Sequence, residues 1–157
     1  ILSALKAQPE RKTIITTVVE HPAILSLCDY LAEDGYTVHK LKVDKKGRLN
    51  LDEYAALLDD DVAIVSVMWA NNEIGTVQPV AEAARLAADH GIPLHTDAVQ
   101  ALGAVPVDFA ASGAATLAVS GHKVGAPVGV GALLVRRDVT LEAVVHGGGQ
   151  ERRLRLS

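Results

Sequence analysis

The sequence predicts an α/β fold, a mainly parallel sheet flanked by helices, and three observations point there. Short β-branched or apolar runs alternate with helical patterns along most of the chain. One of them, Val62 to Met68, reads as an apolar run of the kind a strand covered on both faces requires. Polar residues then cluster just after the runs, at the expected carboxyl ends of the strands, where ligands of such sheets collect.

The elements follow in order. Ile14 to Val19 is β-branched and reads as the first strand. Pro22 suits the first turn of a helix, in which Ile24, Leu27, Cys28 and Leu31 share one face before Gly35 ends it. Thr37 to Val43 is the next strand. Asn50, with Glu53 three residues on, resembles a capping box and opens a helix through Leu58. After the strand Val62 to Met68, Ala81 to Asp89 is Ala-rich and helical, closing at Gly91. Pro93 to Thr96, Thr116 to Val119 and Val130 to Val135 are the remaining strands, and Ala98 to Gly113 is the loosest stretch.

Composition narrows the function classes. The 157 residues are 49% hydrophobic and 22% charged, an ordinary globular balance and enough chain for one core. A net charge of −4 without an extended basic run argues against nucleic acid as a partner. No apolar stretch is long enough to span a bilayer, so no membrane partner is expected. A single cysteine, Cys28, cannot form an internal disulfide, and no basic region leads into an apolar core at the start. These features point to a cytoplasmic setting. The chain opens on Ile1 and stops after Arg155-Leu156-Ser157 with no closing element, which reads as a piece of a longer chain.

Lys123, in Ser120-Gly121-His122-Lys123, follows a strand end and is placed to enter a cleft, where a partly desolvated amine can form a Schiff base with a carbonyl. The plainer reading is a solvated loop lysine. Asp97 directly follows a short interior strand; it would need a cation there, and the ring nitrogen of pyridoxal phosphate offers one. Its plainer role is to cap the next turn. His95, Asp97 and His122 are an alternative metal set, as in a metal-dependent hydrolase, though that leaves Lys123 without a task. His21 after Glu20 could stack on a planar ring or merely cap a helix. Asn72 and Gln100 could bond a ring oxygen or only backbone. His146 with Gly147-Gly148-Gly149 could hold a phosphate on backbone N–H groups or form a turn. Cys28, on an apolar helix face, reads as a structural thiol.

Taken together, Thr17-Val18-Val19-Glu20-His21-Pro22-Ala23, Trp69-Ala70-Asn71-Asn72-Glu73-Ile74-Gly75-Thr76, His95-Thr96-Asp97-Ala98-Val99-Gln100, Ser120-Gly121-His122-Lys123 and His146-Gly147-Gly148-Gly149-Gln150-Glu151-Arg152 resemble the cysteine desulfurases. These are pyridoxal 5'-phosphate enzymes of the class-V aminotransferase family. The resemblance runs in order along essentially the whole chain. Trp69 to Glu73 and Asp44 to Leu49 look closest to the nitrogen-fixation type.

The resemblance implies a three-layer fold-type-I large domain, with residues 1–157 its central part. The phosphate-binding turn before it and the small domain after it would lie outside this chain. Lys123 would carry the cofactor and move the substrate's α-proton, and His21 would stack on the ring. Asp97 would pair with the ring nitrogen, Asn72 and Gln100 would flank the phenolic oxygen, and Ser120 and His122 would hold the phosphate. The implied reaction takes L-cysteine to L-alanine, with sulfur leaving as a persulfide on a cysteine beyond Ser157, not on Cys28. The implied partners are a second copy in a homodimer and an iron–sulfur scaffold protein as sulfur acceptor. Without the nucleophile, the 157 residues alone are expected to be inactive. A selenocysteine lyase or a small-amino-acid aminotransferase is the nearest alternative within the family. The chain departs from the family pattern at Val128, Arg153 and Leu156.

Overall fold

The computed structural model describes residues 1–144, 149–150 and 155–156. In chain order the elements are α1 (Leu2–Ala7), β1 (Thr13–Thr17), α2 (Pro22–Glu33), β2 (Thr37–Leu41), α3 (Leu51–Ala55), β3 (Val62–Ser66) and α4 (Val80–Ala88). They continue with β4 (Leu94–Asp97), α5 (Phe109–Ser112), β5 (Thr116–Ser120), a 3-10 turn (Gly121–Val124) and β6 (Gly131–Val135). Gly149–Gln150 and Arg155–Leu156 pair antiparallel as β7 and β8.

The main sheet runs β2-β1-β3-β4-β5-β6. Every pair is parallel except β5–β6, which is antiparallel. From β1 the chain crosses outward to β2, then returns past β1 to β3 and steps on through β4 and β5. The direction of winding therefore reverses between β1 and β3, and such a reversal leaves a crevice at the carboxyl ends of the two strands.

The reversal also distributes the helices over both faces. On one face Ile14, Ile64, Cys28 and Leu31 pack with Ala4 and Leu5 of α1. On the other, Ile15, Val65 and Leu94 pack with Tyr54 and with Val80, Ala83, Ala84 and Ala87 of α4. All five residues of β1 and of β3 are buried, which is why their sequences are apolar or β-branched without alternation. The Tyr54 hydroxyl is carried into this core and donates to the Ala83 carbonyl at 2.9 Å.

Several boundaries differ from the sequence expectation. β1 stops at Thr17, because the chain turns away toward α2 and leaves Val18 exposed. β3 stops at Ser66, yet burial continues through Met68, with Val67 and Trp69 donating to His95 and Asp97 carbonyls. α3 ends at Ala55 rather than Leu58. The capping box is half-formed: the Asn50 side chain accepts from Asp52 and Glu53 N–H, while Glu53 accepts from the Asn50 side chain instead of its backbone. The stretch Ala98–Gly113 holds the four-residue α5, capped by Asp108 and closed at Gly113 with a left-handed φ of 71°. α1 and α5 are too short for their periodicity to register in the sequence.

Candidate active site

Four strand ends meet at the crevice. A cavity of about 350 Å³ is lined there by His21, Met68, Asn72, Asp97, Val99, Gln100, Ser120, His122 and Lys123. The structure thus brings His21, Asn72, Asp97, Gln100, Ser120, His122 and Lys123 to one place from segments up to a hundred residues apart.

Each side chain is positioned by its local backbone. His21 is the N-cap of α2: its Nδ1 accepts from the Ala23 N–H at 3.2 Å, with Pro22 in the first helical turn. A neutral imidazole accepting at Nδ1 carries its proton on Nε2. The capping and pocket-lining roles, which the sequence left as alternatives, coexist in this residue. Asp97 likewise does both: it is half-buried at the end of β4, Oδ1 accepts from the Val99 N–H at 2.9 Å, and the side chain lines the cavity.

Asn72 rides on a loop whose shape is fixed by its neighbour. The buried Asn71 side chain accepts from Glu73 and Ile74 N–H and donates to the Val19 carbonyl. Gln78 closes the loop. Its side chain donates to the Gly47 carbonyl and accepts from the Leu49 N–H, and its backbone N–H meets Trp69. On the far side Ser120 Oγ and His122 Nδ1 lie 2.6 Å apart. Lys123 follows in the 3-10 turn. Gly121 permits that turn, since a Cβ there would stand 2.9 Å from the Ala126 Cβ and 3.1 Å from the Val130 carbonyl. Lys123 and His122 are exposed in this chain while lining the cavity.

The metal alternative fails on geometry. His95 is buried and turned to Thr116, its Nδ1 2.8 Å from that hydroxyl, while His122 is engaged with Ser120. Among the described residues no three His, Cys, Asp or Glu side chains form a group able to hold a metal ion. Burial pushes the His95 pKa down to about 4, so this imidazole is neutral at pH 7. His146, Gly147 and Gly148 lie outside the described residues, as do Arg152 and Arg153.

Met68 and Val99 line the cavity without having been singled out in the sequence. Met68 ends an apolar run and reads there as core; its position two residues past the end of β3 is the signal. The Met68 N–H donates to the buried Glu20 Oε1.

A mostly parallel α/β sheet with an amine, a carboxylate and an imidazole around one strand-end cavity defines the class of domain. The chain belongs to the class-V aminotransferase family, whose model matches residues 1–156. It is 67% identical to the cysteine desulfurase NifS of Azotobacter vinelandii over 152 residues, covering 97% of this chain and 38% of that protein. The chain therefore spans well under half the length of that relative. Among solved structures, a NifS-like protein superposes with a TM-score of 0.94 at 37% identity, over 99% of this chain and 44% of the other. SspA in complex with cysteine superposes with a TM-score of 0.89 at 35% identity, over 96% and 44%. The fold is the fold-type-I arrangement of these enzymes. No described helix is long and apolar enough to cross a membrane.

Proposed function

We propose that residues 1–157 are the central part of the pyridoxal-phosphate-binding large domain of a cysteine desulfurase of the nitrogen-fixation type. The observation that carries the reading is the convergence of Lys123, Asp97 and His21 on one cavity. The donor set fits the cofactor: a primary amine for its aldehyde, a carboxylate for its ring nitrogen, a planar imidazole for its face, amides for its phenolic oxygen. When bound, the cofactor supplies an electron sink for the substrate's α-carbon.

The residues of this chain would hold it and position the substrate. Lys123 would anchor the cofactor through its amine and serve as the acid/base for the α-proton. Asp97, its Oδ1 fixed by the Val99 N–H, would pair with the ring nitrogen. The Nδ1 cap keeps the His21 ring in one orientation for stacking. Asn72 and Gln100 bond or flank the phenolic oxygen, and Ser120 with His122 receives the phosphate.

The substrate is L-cysteine, the ligand named for one structural neighbour, and the products are L-alanine and a persulfide on a cysteine outside this chain. Cys28 does not take that part: it is fully buried in the α2 face, and burial pushes its thiol pKa up. The protein acts as a cytoplasmic homodimer that passes sulfur to an iron–sulfur scaffold protein.

The test is borohydride reduction of the full-length protein loaded with pyridoxal phosphate, followed by peptide mass mapping. A pyridoxyl adduct on Lys123 is expected, together with alanine formation from cysteine. A folded protein with no adduct on Lys123 discards the assignment.

A further inference from the structure

Glu20 is a buried carboxyl group to which none of the roles above gives a task. Only 4% of it is exposed, at the end of the β1 segment and immediately before His21. Its Oε1 accepts from the Thr17 hydroxyl at 3.0 Å and from the Met68 N–H at 2.7 Å. Its Oε2 is buried with no partner. The groups that act on it electrostatically are Asp97, from the end of β4, and Cys28, from α2; His21 adjoins it in the chain. None of these brings it a compensating positive charge.

A carboxylate in such a place is costly, because an ionised group out of water needs a cation or a full set of donors. The neutral acid suits the site better. Its carbonyl oxygen takes both observed hydrogen bonds, and the bare Oε2 carries the proton. We propose that Glu20 is a positioning residue that works as a neutral carboxylic acid, tying the ends of β1 and β3 together beneath the cavity and sparing Asp97 a like charge.

The tie matters because of what it joins. Met68 and His21 both line the cavity, and Glu20 is bonded to one and adjacent in the chain to the other. The strand reversal between β1 and β3 opens the crevice at this point, and Oε1 links the two segments through the Thr17 hydroxyl and the Met68 N–H. Burial, the main cause, pushes the Glu20 pKa up to about 8, against the hydrogen bonds from Met68 and Thr17, and the Asp97 charge adds to the rise.

The cofactor arm of the test rests on the proposed function; the stability arm does not. In the full-length protein, Glu20→Gln and Glu20→Ala are compared with the parent. The cofactor-free proteins are melted across the interval between the ordinary carboxyl value of 4.5 and about 8, where the folded parent holds a proton that the unfolded chain has released. Over that interval Glu20 makes the parent lose stability as pH rises relative to Glu20→Gln. The opposite-sign contribution of His95 is common to both proteins and cancels, so the Gln-minus-parent difference in Tm climbs by roughly 2–4 °C. Pyridoxal phosphate titrations then place Glu20→Ala about tenfold weaker than the parent and Glu20→Gln within about threefold, the amide supplying the same acceptor.

A Tm difference that stays flat with pH, or a Gln variant as impaired as the Ala variant, overturns the proposal. If the parent binds no pyridoxal phosphate, the functional reading falls, while the melting series still decides the state of Glu20.

Discussion

The two sides of the cavity are built differently. On the β1–β3 side, His21 and Met68 follow strands whose every residue is buried, tied by Glu20 and backed by packed helices on both faces. On the β5–β6 side, Lys123 and His122 stand on an exposed turn, and the strand that follows is exposed along Gly131 to Leu134. Val128, in the loop between them, is 91% exposed. In the proposed reading, the packed side sets the position of the exposed His21 ring and the exposed turn carries the amine of Lys123.

The sharpest way to break the comparison is Lys123→Ala. In the full-length protein it should abolish the borohydride-trapped adduct and lower desulfuration by at least about a thousandfold, with little change in Tm. Asp97→Asn comes next. The amide oxygen keeps the bond from the Val99 N–H, so the fold persists, but the negative charge is gone; a loss of about a hundredfold in kcat/KM is expected.

On the buried side the expected effect is on stability. Tyr54→Phe removes this hydrogen bond from the core while the Ala83 carbonyl keeps its place in the α4 helical ladder, and should cost about 0.5–1.5 kcal/mol in denaturant melts, with activity per folded molecule retained. His95 sharpens the contrast through pH. Its folded pKa, about 4, lies below the ordinary value of 6.5, so the unfolded chain binds the extra proton in that window. The contribution of His95 should fall as pH drops through it, opposite in sign to that of Glu20, so the His95→Gln-minus-parent difference in stability should rise as pH drops; a difference that does not change with pH would refute the neutral, buried imidazole. The smallest effect is expected at the exposed pair Arg85–Asp89 on α4, 3.2 Å apart. Arg85→Ala should change stability by no more than about 0.5 kcal/mol, and less at high salt.

Much of this was legible in the sequence, for reasons that differ between residues. The strands were visible because Val62 to Ser66 must satisfy two apolar faces at once, which leaves a run too uniform to mistake. The cavity residues were visible because the polar side chains follow strand ends, and a parallel sheet lines those ends up. Glu20 was passed over because a carboxyl group next to His21 reads as surface until its depth is known. Met68 reads as core for the opposite reason. The direction of β6 could not be read, since Gly131 to Val135 is compatible with either sense of pairing. α1 and α5 escaped because a single turn carries no period, although Asp108 and Gly113 already marked both ends of α5.

The register of the sheet has a consequence for how the molecule is made. Each parallel pair joins segments separated by a whole crossover, from Thr13 with Thr37 to His95 with Thr116. Chain closure must precede every one of those contacts, which slows folding, the closure cost growing with the logarithm of the span. The cavity draws on residues 21 to 123 and is complete only when β1, β3, β4 and β5 are all seated. During refolding, ligand capture should therefore lag behind the return of helical and strand signals, making the ligand a timer for the last step of assembly.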